Sequence, residues 1–243
     1  MHFQGRGNVY LQEILANGTL AAAITLCTDS FNIAMATESG THVNRCGAVD
    51  VEDARYTKSQ TCTLTMALAD MVDRNFALGV LGTVNAVGSP GTATDEALPD
   101  TIAIGDTYFL GGKTRHRAIT GLSITGMTVD VDYTLDAASG KLTFLTASAG
   151  SPASTADYGY TDPAYVSLFT AGAKYYFLSY EFINKQNAND PGSLELYKVR
   201  FDPTDNADFQ SEDLQIMTFN GSALADTDRE DDTELGQFGR RVL

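Results

Sequence analysis

The chain has no tryptophan, only three histidines and three cysteines in 243 residues, and 16 Lys and Arg against 31 Asp and Glu. Each shortage excludes something. Cys27, Cys46 and Cys62 are odd in number and far apart, so a disulfide framework is not expected, and buried free thiols in a reducing compartment are. His2, His42 and His116 fall in none of the spacings that recur in zinc sites or hydrolase triads. His42 with Cys46 comes nearest to a ligand pair, and no third ligand accompanies it in sequence. A net charge of −15 and an isoelectric point near 4.4 exclude an ordinary nucleic-acid binder, because such proteins neutralise phosphates with clustered Lys and Arg. They leave open a surface that DNA passes without sticking, and equally plain solubility by self-repulsion. No apolar run approaches the ~18 residues of a membrane helix, and residues 1–7 have no hydrophobic signal core, so the expectation is cytoplasmic synthesis. Glycine-rich phosphate loops, GxSxG, HExxH and CxxC are all missing, so neither an enzyme nor a cofactor is expected.

What the chain does have is enough apolar material, 43% against 19% charged, to bury a core in one large β domain or two small ones. The most informative stretch is residues 56–82. Cys62, Leu64, Met66 and Leu68 alternate with Thr57, Ser59, Thr61, Thr63 and Thr65, the period of two that a half-buried strand requires. A helix over 70–81 follows, with Asp70 at the N-cap, Asp73 favouring the positive end, Met71, Val72, Phe76 and Val80 as its apolar stripe, and Gly82 ending it. The pattern predicts a sheet with one wet, uncharged face and a helix, including Phe76, over its dry face.

Short strand-like runs dominate elsewhere, which makes the chain mostly β. Strands are expected at 8–14, 31–37, 174–184, 194–201 and 212–219, with turns at Asn17-Gly18 and Asn220-Gly221. Residues 38–55 read as a long loop carrying His42, Arg45, Asp50, Glu52, Asp53 and Arg55, and loops of more than about 12–15 residues tend to be functional or disordered. Residues 85–100 read as a soft linker, and 132–136 with 141–145 as a hairpin closed by Gly140. Together these give a single domain over 1–243, with an N-terminal arm at 1–8 and an inserted linker and hairpin region at 85–165. Arg115-His116-Arg117 reads as a solvated basic turn. Asp202, Asp205, Asp208, Glu212 and Asp213 have the composition of a calcium loop without its spacing or central glycine. Asp226, Asp228, Glu230, Asp232 and Glu234 place a carboxylate at every second position, a row that must face water, cations or a basic neighbour.

Taken in order, several pieces resemble the major tail tube proteins of long-tailed, non-contractile bacteriophages. They are the arm Gly5-Arg6-Gly7-Asn8-Val9-Tyr10-Leu11 and the Thr-rich strand followed by Asp70, Asn75, Phe76, Ala77, Leu78 and Gly82. The hairpin from Asp132-Tyr133-Thr134-Leu135-Asp136 to Ser139-Gly140-Lys141-Leu142 and the closing Gly236-Gln237-Phe238-Gly239 complete the likeness. The resemblance implies a β-sandwich subunit with one flanking α-helix, whose inner sheet joins a hexameric β-barrel ring. Rings stack into a tube through which DNA is ejected without specific binding. The implied location is the virion, after assembly in the host bacterial cytoplasm, and the implied partners are other copies together with tail terminator, tape measure and tail-tip proteins. The loop at 38–55 takes the position that reaches the adjacent ring or subunit, and the threonine face that of the lumen or a partner surface.

Two alternatives stay open. One is another phage structural protein, a capsid decoration or head-tail connector. The other is a carbohydrate- or surface-binding β-sandwich using Tyr158, Tyr160, Tyr165, Tyr175, Tyr176 and Tyr180 as stacking faces, a reading that the lack of tryptophan weakens.

Overall fold

The computed structural model describes residues 5–46, 49–149, 154–184, 191–204, 209, 216–229 and 234–242. The chain is mostly β and divides into two compact units, Met1–Thr83 with Val166–Leu243 and Val84–Tyr165. In chain order the elements are β1 Gly5–Glu13, β2 Ile24–Leu26, β3 Thr28–Asn44, β4 Val51–Leu68, α1 Asp73–Gly79, β5 Thr83–Asn85, β6 Gly91–Ala97, β7 Thr101–Ile102 and β8 Thr107–Phe109. There follow β9 Thr120–Ile124, β10 Tyr133–Asp136, β11 Lys141–Phe144, β12 Ser148–Ala149, β13 Thr155–Tyr160, β14 Tyr165–Ser167, β15 Tyr176–Asn184, β16 Pro191–Phe201, β17 Met217–Ala223 and β18 Gly239–Val242.

The first unit is built on one eight-stranded sheet in the order β2-β1-β15-β16-β17-β4-β3, with β18 alongside β16. Every pairing recorded in it is antiparallel. β2 and β3 stand at opposite ends of that order, yet only Cys27 separates them in sequence. The sheet therefore curls until its ends approach, and Phe31 of β3 meets Tyr180 of β15 with ring centroids 5.3 Å apart. The register aligns the apolar positions on one face: Val9 opposite Leu26, Leu11 opposite Leu178, Phe219 opposite Met66, and Leu64 opposite Ile33. Val9, Leu11, Leu64, Met66, Leu68, Leu178, Met217 and Phe219 are fully buried there, each removal from water being worth roughly 1.5–3 kcal/mol before entropy. The pattern at 62–68 thus lies in the core as its periodicity requires.

α1 is shorter than the expected 70–81. Asp70 is not its cap; Val72 is, in extended conformation and without a side-chain cap bond. Asp70, two residues before the cap, offers its carbonyl to Asn75 Nδ2 at 3.0 Å. At the other end the Gly82 amide donates to the Ala77 carbonyl at 2.7 Å and Leu81 to Leu78 at 3.4 Å, the double bond of a Schellman close. Leu81, not glycine, holds the left-handed position, at φ 47°. Gly82 serves a different need, since a Cβ there would lie 2.3 Å from the Ser167 carbonyl oxygen. Met71, Phe76 and Leu78 pack on the sheet core. Beyond the helix, Phe169 and Ala171 donate backbone bonds to Val80 and Leu81, and Thr170 Oγ1 lies 2.9 Å from Thr83 Oγ1.

Two other expectations are corrected. Residues 38–55 are not a loop: β3 and β4 run through most of them as a hairpin. Asn220-Gly221 is not a turn either, because β17 passes straight through it, with Gly221 paired to both Leu64 and Phe201. Gly221 is there for closeness, since a Cβ would stand 2.6 Å from the Arg200 carbonyl oxygen. The strand begins at Met217, and the earlier positions 212–215 lie outside the described residues, as do Asp205, Asp208, Glu230 and Asp232.

Residues 85–100 are no soft linker, since they contain β6 and belong to the second unit. That unit has its own core of Leu98, Ile102, Leu110, Ile119, Ile124, Tyr133, Leu142, Phe144, Ala156 and Tyr158, between two three-stranded sheets, β6-β13-β9 and β10-β11-β8, and the pair β7-β12. The β10–β11 hairpin pairs Asp136 with Lys141. Its turn is held by Ser139 Oγ donating to the Asp136 carboxylate at 2.6 Å and by Gly140 at φ 65°.

Candidate assembly surface

The wet side of the first unit has two parts, a sheet face and a projecting ribbon. On the face, the ladder sets Arg200, Ser222, Thr63 and Ala34 side by side, and then Asn220, Thr65 and Asn32. Thr65 Oγ1 donates to Asn220 Oδ1 at 3.2 Å and Thr63 Oγ1 to the Ala34 carbonyl at 3.4 Å. Hydroxyls and amides thus dominate where β17, β4 and β3 meet. Arg200 next to them, and Glu181 opposite Asn8 further along, supply charges of both signs. Thr57, Ser59, Thr61, Thr63 and Thr65 are all exposed, while Cys62, Leu64, Met66 and Leu68 between them are buried.

The ribbon is the outer half of the β3–β4 hairpin. β17 covers β4 only from Cys62 to Leu68. From Val51 to Thr61, β4 pairs with β3 alone, and every one of those residues is exposed. The two-stranded ribbon therefore extends past the sheet with both outer edges without a strand partner among the described residues. Tyr56 folds its ring over Gly40 on the facing strand, where a Cβ would come within 2.6 Å of it. Met35 is 80% exposed, and Val49, Val51 and Tyr56 are exposed as well. An edge of this length normally carries a covering element or a partner.

All six residues singled out in 38–55 lie on the ribbon or the turn at its tip. His42 Nδ1 and Asp53 Oδ1 are 2.6 Å apart, Arg55 Nε is 3.4 Å from Glu52 Oε1, and Arg45 Nε is 3.8 Å from Asp50 Oδ2. Lys58 Nζ adds a contact of 3.7 Å to Glu38. Exposed pairs like these stabilise little; their effect is to leave the ribbon nearly neutral within a strongly acidic chain. His42 and Cys46 do not converge: the His42 ring faces Asp53, and the Cys46 amide donates to Asn44 Oδ1 at 2.9 Å. Among the described residues no group of three His, Cys, Asp or Glu could hold a metal ion.

Burial is the first cause of the shifts at Cys62 and Tyr176, and an ion pair that of the shift at Arg240. Desolvation raises the Cys62 thiol, so that it stays protonated and unreactive, whereas Cys27 and Cys46 are exposed free thiols, contrary to the expectation of burial. Tyr176 is pushed up to about 12, first by burial and then by the charge of Glu13. Arg240 is raised by its hydrogen bond and charge pairing with Glu195, with Arg240 Nε 2.7 Å from Glu195 Oε2.

Residues 2–242 match the model of the family described as "Protein of unknown function UCP028589". The chain belongs to this family. No curated protein matches it. The family model spans both units, so the 84–165 unit is as much part of it as the sheet and its ribbon.

Sequence reasoning missed one polar cluster altogether, in the second unit. The Glu96 carboxylate accepts from Tyr108 Oη at 3.1 Å, from the Gly111 amide at 2.9 Å and from Tyr158 Oη. His116 Nδ1 sits 2.9 Å from Tyr158 Oη, and its ring stacks on Tyr160 at 3.6 Å. Tyr158 is pushed far above the ordinary tyrosine range by burial, then by the bond to Glu96 and its charge. His116 is thus no member of a solvated turn. Tyr158 and Tyr176 are buried and offer no stacking face; of the six candidate tyrosines, Tyr165 and Tyr175 are exposed.

Proposed function

We propose that the chain is a self-assembling structural subunit of a phage tail tube. Its copies associate as β-sandwich subunits into hexameric rings, their inner sheets join around a lumen, and the rings stack into the conduit for DNA ejection. The observation that carries this reading is the β3–β4 ribbon, a two-stranded extension with uncovered edges and exposed Val51 and Tyr56, and with exposed Met35 at its base. A free monomer gains nothing by presenting such a segment, and strand edges invite pairing with another chain. On this reading the ribbon, carrying His42, Arg45, Asp50, Glu52, Asp53 and Arg55, reaches the adjacent ring. The sheet face bearing Thr63 and Thr65 borders the channel or a partner, and Thr57, Ser59 and Thr61 follow them out along the ribbon.

The wet face supports the channel role because hydroxyls and amides give DNA few adhesive points, and an acidic chain repels phosphate. The same reading places the protein in the virion after assembly in the host cytoplasm. It implies contacts with tail terminator, tape measure and tail-tip proteins. Negative-stain microscopy and sedimentation of the purified protein test it. Rings and stacked tubes are expected. Closed rings that never stack would point to a connector instead, and a strict monomer at high concentration would overturn assembly altogether.

A further inference from the structure

The cations of the second unit are Lys113, Arg115, Arg117 and Lys141, so three of its four basic residues fall within five positions. Those three line a single cavity of about 400 Å³, with Thr114, Asp162 and Tyr165 among the other lining residues. That volume is within the range of small-ligand pockets. Their loop is pinned by His116 N donating to the Leu110 carbonyl at 2.8 Å, Thr114 N to Gly111 at 3.2 Å, and Thr161 N to Arg117 at 3.1 Å. Its path needs left-handed backbone at Gly111 and Gly112, and imposes the same on Arg115 at φ 48°. Strain of that kind in a non-glycine residue concentrates at ligand sites. The Arg115 guanidinium also lies over the Phe109 ring, 3.7 Å from its centroid, which fixes its orientation.

Two residues of this lining each keep one buried polar atom without a partner among the described residues: Arg115 Nε, a donor, and Asp162 Oδ1, an acceptor. Buried polar atoms in folded proteins nearly always find partners. A bare anion would serve only half of the site, since phosphate or sulfate would answer the cations and meet the Asp162 carboxylate as a like charge. A ligand bearing both an acid group and hydroxyls answers both: the acid faces Arg115, Arg117 and Lys113, a hydroxyl donates to Asp162, and a sugar ring lies on the Tyr165 face, which is 55% exposed.

We propose that this cavity binds an acidic saccharide, a sugar carrying a carboxylate or phosphate group. The proposal is independent of whether copies assemble. Titration calorimetry on the full-length protein tests it, with trigalacturonic acid and glucose 6-phosphate as probes. Maltotriose, inorganic phosphate and a short single-stranded oligonucleotide serve as comparisons. At least one acidic sugar should bind, with maltotriose and the oligonucleotide bound far more weakly. Arg115→Gln and Asp162→Asn should each weaken the sugar about tenfold, the scale of one charge-assisted hydrogen bond. Lys113 is exposed, so Lys113→Ala leaves the fold intact and should still weaken binding if Arg115→Gln does not fold. Three outcomes would overturn the proposal: no binding of either acidic sugar at millimolar concentration; inorganic phosphate bound as tightly, with Asp162→Asn without effect on the sugar; or the oligonucleotide bound equally well.

Discussion

A Cβ on Gly221 would stand 2.6 Å from the backbone oxygen of Arg200 and 3.1 Å from the Phe201 ring. Neither neighbour can retreat, because one is ladder backbone and the other is in the core, so Gly221→Ala should lower stability by about 1–3 kcal/mol, the usual cost of overpacking. In a strand an Ala for Gly ordinarily helps, so the sign distinguishes the two effects. Thr63→Ala, on the wet face one strand away, should stay within about 0.5 kcal/mol of the parent. Urea denaturation midpoints decide, and an unchanged midpoint for Gly221→Ala would refute the close-approach account. Asn-Gly is the strongest short hairpin signal in a sequence, and here it is misleading for this reason: glycine was required by the distance between backbones, not by a turn.

The inner and outer halves of β4 differ in how far they could be read. Cys62 to Leu68 alternates because one face is buried, and the alternation marks strand, face and core together. Glu38 to Arg55 carries no such pattern because both faces of the ribbon are wet, so nothing in the residue order separates a strand there from a loop. The same holds for the cap of α1. Asp70 followed by Asp73 has the right residue types, and only the first helical bond, from the Phe76 amide to the Val72 carbonyl, shows the helix beginning later. The Glu96, Tyr158 and His116 cluster was not visible because its members lie far apart in the chain. The ribbon also gives a clean test. Replacing residues 36–61 with Asn-Gly removes no buried apolar side chain among the described residues, so the thermal midpoint should hold within a few degrees while the proposed stacking into tubes is lost. A variant that unfolds would show that the ribbon belongs to the subunit's own core; one that still forms tubes would show that it does not join rings.

Across the whole molecule the balance of charge is −15, and any association of identical copies must work against it. Repulsion between copies acts over the screening length, about 30 Å at 0.01 M salt and 3 Å at 1 M. Assembly should therefore be slow in dilute buffer and accelerate strongly with sodium chloride, as read by light scattering. An assembly rate that falls as salt rises would mean that attraction between opposite charges, such as those of the ribbon, sets the pace instead.

Thr83 and Thr170 touch at 2.9 Å, although more than eighty residues separate them. A segment that leaves and returns at one point can be exchanged without moving the strands on either side. The stretch between Thr83 and Thr170 is thus built like a cassette, and recombination at its two ends would replace the second unit in one event. For the engineer, the same junction is a socket into which a foreign domain with close termini can be spliced, to be displayed once per chain.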